Sequence, residues 1–280
     1  EQGGAAGDFN FGITPEGGAQ ISIQVALGDL DGDGDLDAFI VNDGLNQVLI
    51  NQGGDQGGIG GDFNIGIAPD GGSQLSESIA LGDFDGDGDL DAFIVNFDQP
   101  NQVLINQGGA QGGTEADFDL GIAPEGGDTI GGVAVALGDL DGDGDFDAFI
   151  ANSNRANQVL INQGGEQGGT EGDFDLGIEP EGGVQQTLGV ELGDLDGDGD
   201  LDALLVNGLN HVLINQGGDQ GGIEGDFDLG IAPEGGVQLS YWAALGDLDG
   251  DGGVPPVDEN GLPNIGQDGL LPSMYVDTIV

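Results

Sequence analysis

One stretch, Leu27–Asn42 (LGDLDGDGDLDAFIVN), limits what this chain can fold into more than any other. It places Asp29, Asp31, Asp33 and Asp37 at the first, third, fifth and ninth positions of a loop, with Gly32 and Gly34 interleaved and an apolar run behind. Two carboxylates about 4 Å apart repel by roughly 4 kcal/mol at an effective dielectric of 20. Four converging carboxylates therefore call for a cation among them. Ca²⁺, which accepts about 6–8 oxygen ligands in flexible geometry, is the ion expected.

The loop is not an EF-hand. Gly34 occupies the sixth position, as an EF-hand requires, but the twelfth, where a bidentate Glu belongs, is Ile40. The same place holds Ile94, Ile150 and Leu205 in later copies. The residues behind the loop, Ala38-Phe39-Ile40-Val41, favour strand over helix. A cation loop between two β-strands is expected.

Internal repetition sets the architecture. The signature LGD[LF]DGDG begins its Asp run at Asp29, Asp83, Asp139, Asp194 and Asp247, a period of about 55 residues. A second signature, DF-x-x-G-I-x-P-[ED]-G-G, starts at Asp8, Asp62, Asp117, Asp173 and Asp226. A third, N-[QH]-V-L-I-N-Q-G-G, starts at Asn46, Asn101, Asn157 and Asn210. Each unit holds four short strand-like pieces, which in the first are Val25–Asp29, Leu36–Val41, Gln47–Asn51 and Phe63–Ile67. Gly, Asn, Asp and Pro occupy the joints, as tight turns require. Runs such as Val48-Leu49-Ile50 are apolar on both faces, the mark of a strand buried between two layers.

Four-stranded units of this length, apolar on both faces, describe the blades of a β-propeller. The expected fold is all-β, with about five blades and a cation loop between the first and second strand of each. A calcium β-roll is the solenoid rival, but its G-G-x-G-x-D start occurs once, at Gly57–Asp62, and its period is nine. The units span residues 1–252 and leave 253–280 as a divergent tail. The chain opens with the last strand of a unit (Asp8–Gly12), and its repeats end with the first strand of another (Ala243–Asp247). That offset suits closure of the ring by the N-terminal strand. The tail would then supply middle strands of blade five from Val254–Val257 and Tyr275–Val280, although Pro255-Pro256 opposes a central strand. The alternative is an edge filled by another copy.

Composition narrows the partners. A net charge of −52, with one Lys or Arg in the chain, excludes nucleic acid and disfavours anionic membrane surfaces. No apolar run reaches the ~18 residues of a membrane span, and there is no cysteine. The chain begins at Glu1 and its one methionine is Met274, so a processed product or fragment is expected.

The D-x-D-x-D-G-x-x-D loop, the A-F-[IV]-V-N strand behind it and the G-D-F-x-x-G strand together resemble FG-GAP/VCBS-type repeats, which build the calcium-bearing propeller of integrin α chains and many secreted bacterial propellers. The resemblance covers about Asp8 to Gly252. It implies Ca²⁺ held by side chains at positions 1, 3, 5 and 9 and by the carbonyl at position 7. In residues 29–37 these are Asp29, Asp31, Asp33, Asp35 (carbonyl) and Asp37, and in 83–91 they are Asp83, Asp85, Asp87, Asp89 (carbonyl) and Asp91. In 139–147 they are Asp139, Asp141, Asp143, Asp145 (carbonyl) and Asp147, and in 194–202 they are Asp194, Asp196, Asp198, Asp200 (carbonyl) and Asp202. The fifth loop, 247–255, keeps Asp247, Asp249 and Asp251 but has Pro255 at position 9, which leaves it degenerate unless Asp258 contributes. The literal Gly-Ala-Pro of the family name is replaced by Ile-Ala-Pro, and family propellers commonly have seven blades.

Catalytic candidates are few. His211 stands where Gln47, Gln102 and Gln158 stand in the other units, and is expected to be a neutral replacement. Arg155 falls in an insertion, Asn152–Asn157, and reads as a solvated loop tip. Tyr241-Trp242, just before the fifth loop, is expected to close the terminal blade, with sugar stacking as the sharper alternative. No nucleophile–base constellation is present, so no enzyme is expected. Near-identical units mark no blade as an active site. The expected function is an extracellular, calcium-stabilised binding, adhesion or scaffold module whose partner is a protein, a glycan or copies of itself. A subunit of a filament or surface layer is the alternative, and a carbohydrate-active enzyme comes third.

Overall fold

Short apolar runs bounded by Asn, Asp and Gly become strands, and the same three signatures in each unit give the same four. The computed structural model describes residues 20–53, 58–59, 61–108, 112–126, 131–164, 168–170, 172–217, 222–223, 225–230, 243–245 and 274–275. These form an all-β structure without helix among the described residues. The first antiparallel meander is β1 (Ser22–Gly28), β2 (Asp37–Leu45), β3 (Gln47–Asn51) and β4 (Phe63–Ile65). The second is β5 (Ser73–Gly82), β6 (Asp91–Asn96), β7 (Gln102–Asn106) and β8 (Phe118–Leu120). The third comprises β9 (Gly132–Gly138), β10 (Asp147–Arg155), β11 (Gln158–Asn162) and β12 (Phe174–Leu176). After the two-residue β13 (Gln185–Gln186) comes the fourth: β14 (Gly189–Gly193), β15 (Asp202–Val206), β16 (His211–Asn215) and β17 (Phe227–Leu229).

The strands expected in the first unit appear with shifted ends. β1 starts earlier, at Ser22, and β2 runs on to Leu45. That overrun has a use, because Asp43–Leu45 of β2 pairs with Ser73–Leu75 of β5 and joins two meanders into one eight-stranded sheet. β10 overruns likewise and pairs with β13. Arg155 therefore ends a strand, opposite Gln185, where a loop tip was expected; it stays exposed.

Each hairpin between second and third strands is closed by asparagines. Asn46 Oδ1 accepts the Asn42 N–H at 3.0 Å, and Asn42 Nδ2 donates to the Leu45 carbonyl at 2.7 Å. Asn101, Asn157 and Asn210 accept from Asn96, Asn152 and Asn207 in the same way. This explains why the third signature opens on Asn.

Successive meanders pack face to face over three apolar clusters. Phe39, Val41 and Val48 of the first lie against Ile79, Ile94 and Leu104 of the second. Phe93, Val95 and Val103 of the second meet Ala148, Ile150 and Leu160 of the third. Phe149, Ala151 and Val159 of the third meet Ala203, Leu205 and Leu213 of the fourth. Alternate residues of one strand thus serve two neighbours, as the unbroken apolar runs require. At each junction, bulky side chains cover a glycine: Leu81 and Leu90 over Gly28, Leu137 and Phe146 over Gly82, Leu192 and Leu201 over Gly138. On the first meander the equivalent Leu27 and Leu36 are 59% and 57% exposed, and Val25 is 51% exposed where its counterpart Ile79 is 3%.

The outer strands of the second, third and fourth meanders are shielded by the preceding unit. Asp70, Glu125 and Glu181, from the P-[ED]-G-G segments, donate their N–H groups to the carbonyls of Phe118, Phe174 and Phe227 at 2.8–2.9 Å. Glu181 Oε2 also accepts the Leu229 N–H at 3.2 Å. A charged side chain on an otherwise open edge discourages pairing with another chain.

Beyond the fourth meander, two short strands are described. β18 (Ala244–Leu245) pairs with β19 (Met274–Tyr275) in the register Ala244↔Tyr275 and Leu245↔Met274. Ala26↔Phe39 and Leu27↔Ala38 pair identically in the first meander. The expected strands at Asp8–Gly12 and Val254–Val257, the pair Tyr241-Trp242 and the loop containing Asp247, Asp249 and Asp251 lie outside the described residues.

Candidate metal centres

Each Asp loop joins the first and second strands of its meander and folds around its own carboxylates. Gly32 and Gly34 have φ of +73° and +92°, a region open to glycine, and this turns successive N–H groups inward. Asp29 Oδ1 accepts from Asp33 N at 3.0 Å and Oδ2 from Gly34 N at 2.9 Å. Asp83, Asp139 and Asp194 accept the N–H of Gly88, Gly144 and Gly199 in the same place. The fifth-position carboxylates Asp33, Asp87, Asp143 and Asp198 accept the N–H of Asp35, Asp89, Asp145 and Asp200 at 2.9–3.0 Å.

The ninth-position Asp is the best-fixed member. Both of its oxygens are engaged by backbone, one by the residue after the loop's first Asp and one by the Asn that ends the third strand. Asp91 Oδ2 accepts from Phe84 N and Oδ1 from Asn106 N, both at 2.8 Å. Asp37, Asp147 and Asp202 repeat the pattern with Leu30 and Asn51, Leu140 and Asn162, and Leu195 and Asn215. All four aspartates are fully buried.

Among the described residues, the loops bring carboxylate oxygens within 4.8 Å of one another in four groups able to hold a cation. The first group is Asp29, Asp31 and Asp33; the others are Asp83, Asp85 and Asp91, then Asp139, Asp141 and Asp147, then Asp194, Asp196 and Asp202. The convergence is thus of positions 1, 3 and 5 in loop one and of positions 1, 3 and 9 in the rest.

The donor set fits a hard cation. Oδ2 of Asp33, Asp143 and Asp198 is buried with no hydrogen-bond partner, an arrangement that is costly for a carboxylate lacking a counter-charge. Burial pushes Asp91, Asp147 and Asp202 up to about 7 against the opposing pull of their backbone N–H bonds. Burial, together with the charges of Asp37 and Asp33, lifts Asp31 to about 6. Asp85 and Asp196 are raised by burial and by the neighbouring Asp87 and Asp198. A bound cation would reverse these shifts, since a nearby positive charge favours the ionised form.

Sequence reasoning missed the asparagines that end the third strands. Asn106 Nδ2 donates to the Leu30 carbonyl in the preceding unit's loop at 2.9 Å. Asn162 Nδ2 reaches Phe84 O at 3.1 Å and Asn215 Nδ2 reaches Leu140 O at 2.9 Å. The clue was present, as the NQVLINQGG signature keeps this Asn in every copy. His211 lies beside Asn207, its Nδ1 2.9 Å from Asn207 Nδ2, much as Gln158 Oε1 accepts from Asn152 Nδ2 at 3.4 Å one unit earlier.

No curated protein sequence matches the chain. A model of the FG-GAP-like repeat matches it three times in overlapping windows, at residues 29–94, 83–150 and 139–205. Each window begins on the first Asp of one loop and ends within the second strand of the next unit. Together they cover more than half of the sequence, so the chain belongs to the FG-GAP-like repeat family.

Proposed function

We propose that this chain is a calcium-stabilised β-propeller that works outside the cell as a binding, adhesion or scaffold module. The observation that carries the reading is the set of four Asp groups, one per repeated loop, together with the buried, unpartnered Oδ2 of Asp33, Asp143 and Asp198 at the fifth position of three of those loops. Calcium supplies the positive charge those groups need and accepts the number of oxygens they offer. Extracellular fluid holds calcium at a level that keeps such sites filled, and FG-GAP repeats are commonly extracellular binding modules. The proposed ring continues the face-to-face stacking of the four meanders into the fifth unit, with residues 1–252 as blades and 253–280 as the tail. The proposed ligands are the residues of positions 1, 3, 5 and 9 with the carbonyl of position 7. No catalytic step is part of the reading: His211 is tied to Asn207, as a Gln is in the neighbouring unit. A melting curve with excess calcium against one with chelator tests it. Each site filled at a hundredfold excess over Kd adds about 2.7 kcal/mol, so a melt unmoved by chelator would defeat the proposal.

One observation favours a second reading, that of a subunit in a filament or surface layer. Val25, Leu27 and Leu36 form an exposed apolar face on the first meander, and the side chains equivalent to Leu27 and Leu36 pack over Gly28, Gly82 and Gly138 in the later ones. Sedimentation with and without calcium separates the two readings.

A further inference from the structure

We propose that the Asp loops bind calcium cooperatively, because one hydrogen-bond chain runs through all four of them, with Asn106, Asn162 and Asn215 as positioning residues. This rests on the loops being calcium sites. The chain can be followed link by link. Asp37 Oδ2 holds the N–H of Leu30, and the carbonyl of Leu30 holds the side chain of Asn106. The N–H of Asn106 holds Asp91, whose other oxygen holds Phe84. Phe84 O holds Asn162, and the N–H of Asn162 holds Asp147. Asp147 holds Leu140, Leu140 O holds Asn215, and Asn215 N holds Asp202.

Leu30, Phe84 and Leu140 each sit between the first and third carboxylates of their loops. A cation that draws those two carboxylates together fixes the residue between them and hence the direction of its carbonyl. That carbonyl sets the asparagine of the next unit, whose N–H aims the ninth-position carboxylate of the next loop. Asn106, Asn162 and Asn215 are buried, as are Asp91, Asp147 and Asp202. No water competes for these links, and a displaced link leaves a buried polar group unpaired. A filled loop therefore holds its neighbour nearer to the geometry that binding needs, and coupling of this kind is reciprocal.

The test is calorimetric titration of calcium into the metal-stripped full chain and into Asn162→Asp. This variant keeps an oxygen for the Gly172 N–H, which Asn162 Oδ1 accepts at 2.9 Å, and removes the donor to Phe84 O. Asn162→Ser serves as a second variant, and circular dichroism checks that both retain their strands. The wild type is expected to show a Hill coefficient above about 2, approaching the number of sites as coupling strengthens. Cutting the chain between loops two and three should lower it and raise the half-saturating calcium concentration about fivefold or more. Phe93→Leu, which copies the residue at Leu204, lowers stability at the same junction and should leave the Hill coefficient alone. Calcium uptake by independent sites, or an unchanged Hill coefficient in both Asn162 variants, would overturn the coupling while leaving the calcium reading intact. No calcium uptake would overturn both.

Discussion

Phe118 meets Phe39 edge-on, with ring centroids 5.1 Å apart and planes at 85°. Phe118 opens the outer strand of the second meander and Phe39 lies in the second strand of the first. Phe174 stands on Phe93 at 5.2 Å and Phe227 on Phe149 at 5.3 Å in the same way. The DF signature is therefore a fastener between units: its Phe belongs to one meander and packs on the one before. Phe174 also touches Phe84 at 5.4 Å. Phe174→Ala should cost about 3–5 kcal/mol, measured by denaturant unfolding. Phe63, half-buried on the first meander, should cost markedly less.

The ninth and fifth positions of a loop should respond differently to mutation. Asp147→Ala leaves the N–H groups of Leu140 and Asn162 without acceptors, each worth about 1–3 kcal/mol when buried. It should destabilise the protein even in chelator. Asp143→Ala removes a carboxylate with one buried oxygen unpartnered, and should change the metal-free stability by less than about 1 kcal/mol while weakening calcium binding. Thermal melts of both variants, with calcium and with chelator, separate clamp from ligand.

Without metal, stability should fall as pH rises. Asp91, Asp147 and Asp202 titrate near 7 in the folded chain and near the ordinary 3.8 when unfolded, so the folded form holds more protons between those limits. Their protonation favours the folded state fully below about 4 and is lost as pH passes through 7. Metal-stripped protein should melt higher at pH 5 than at pH 8, and Asp147→Asn should reduce the difference. Saturating calcium should flatten or invert the trend. A higher melting temperature at pH 8 in metal-stripped protein would contradict the assignment.

His211→Gln should be silent. It restores the residue found in three other units and keeps a partner for Asn207, so stability should stay within about 0.5 kcal/mol. Loss of any measured ligand binding in this variant would instead mark His211 as part of a site.

Much of this was readable from the residues, because each local signal names its own partner nearby. Gly32 and Gly34 between carboxylates dictate the loop, and the period-free run Phe93-Ile94-Val95 dictates a strand covered on both faces. What could not be read depends on residues far apart. Leu30 and Asn106 are 76 positions apart and meet only once two meanders have stacked. The overrun of β2 onto β5 was hidden because Asp43-Gly44-Leu45 resembles a turn until Ser73–Leu75 arrives to pair with it. The position-9 Asp was read as a ligand alone, since sequence cannot show that backbone N–H groups from the loop and from the end of the third strand close on it.

The glycine at each of the three junctions, covered by two bulky side chains from the next meander, gives the second and third units a socket on one side and a plug on the other. A duplicated or deleted unit would still present a matching plug to a matching socket, so recombination within such a gene can lengthen or shorten the array without redesigning any seam. The number of units can then change while the chemistry of each joint stays fixed.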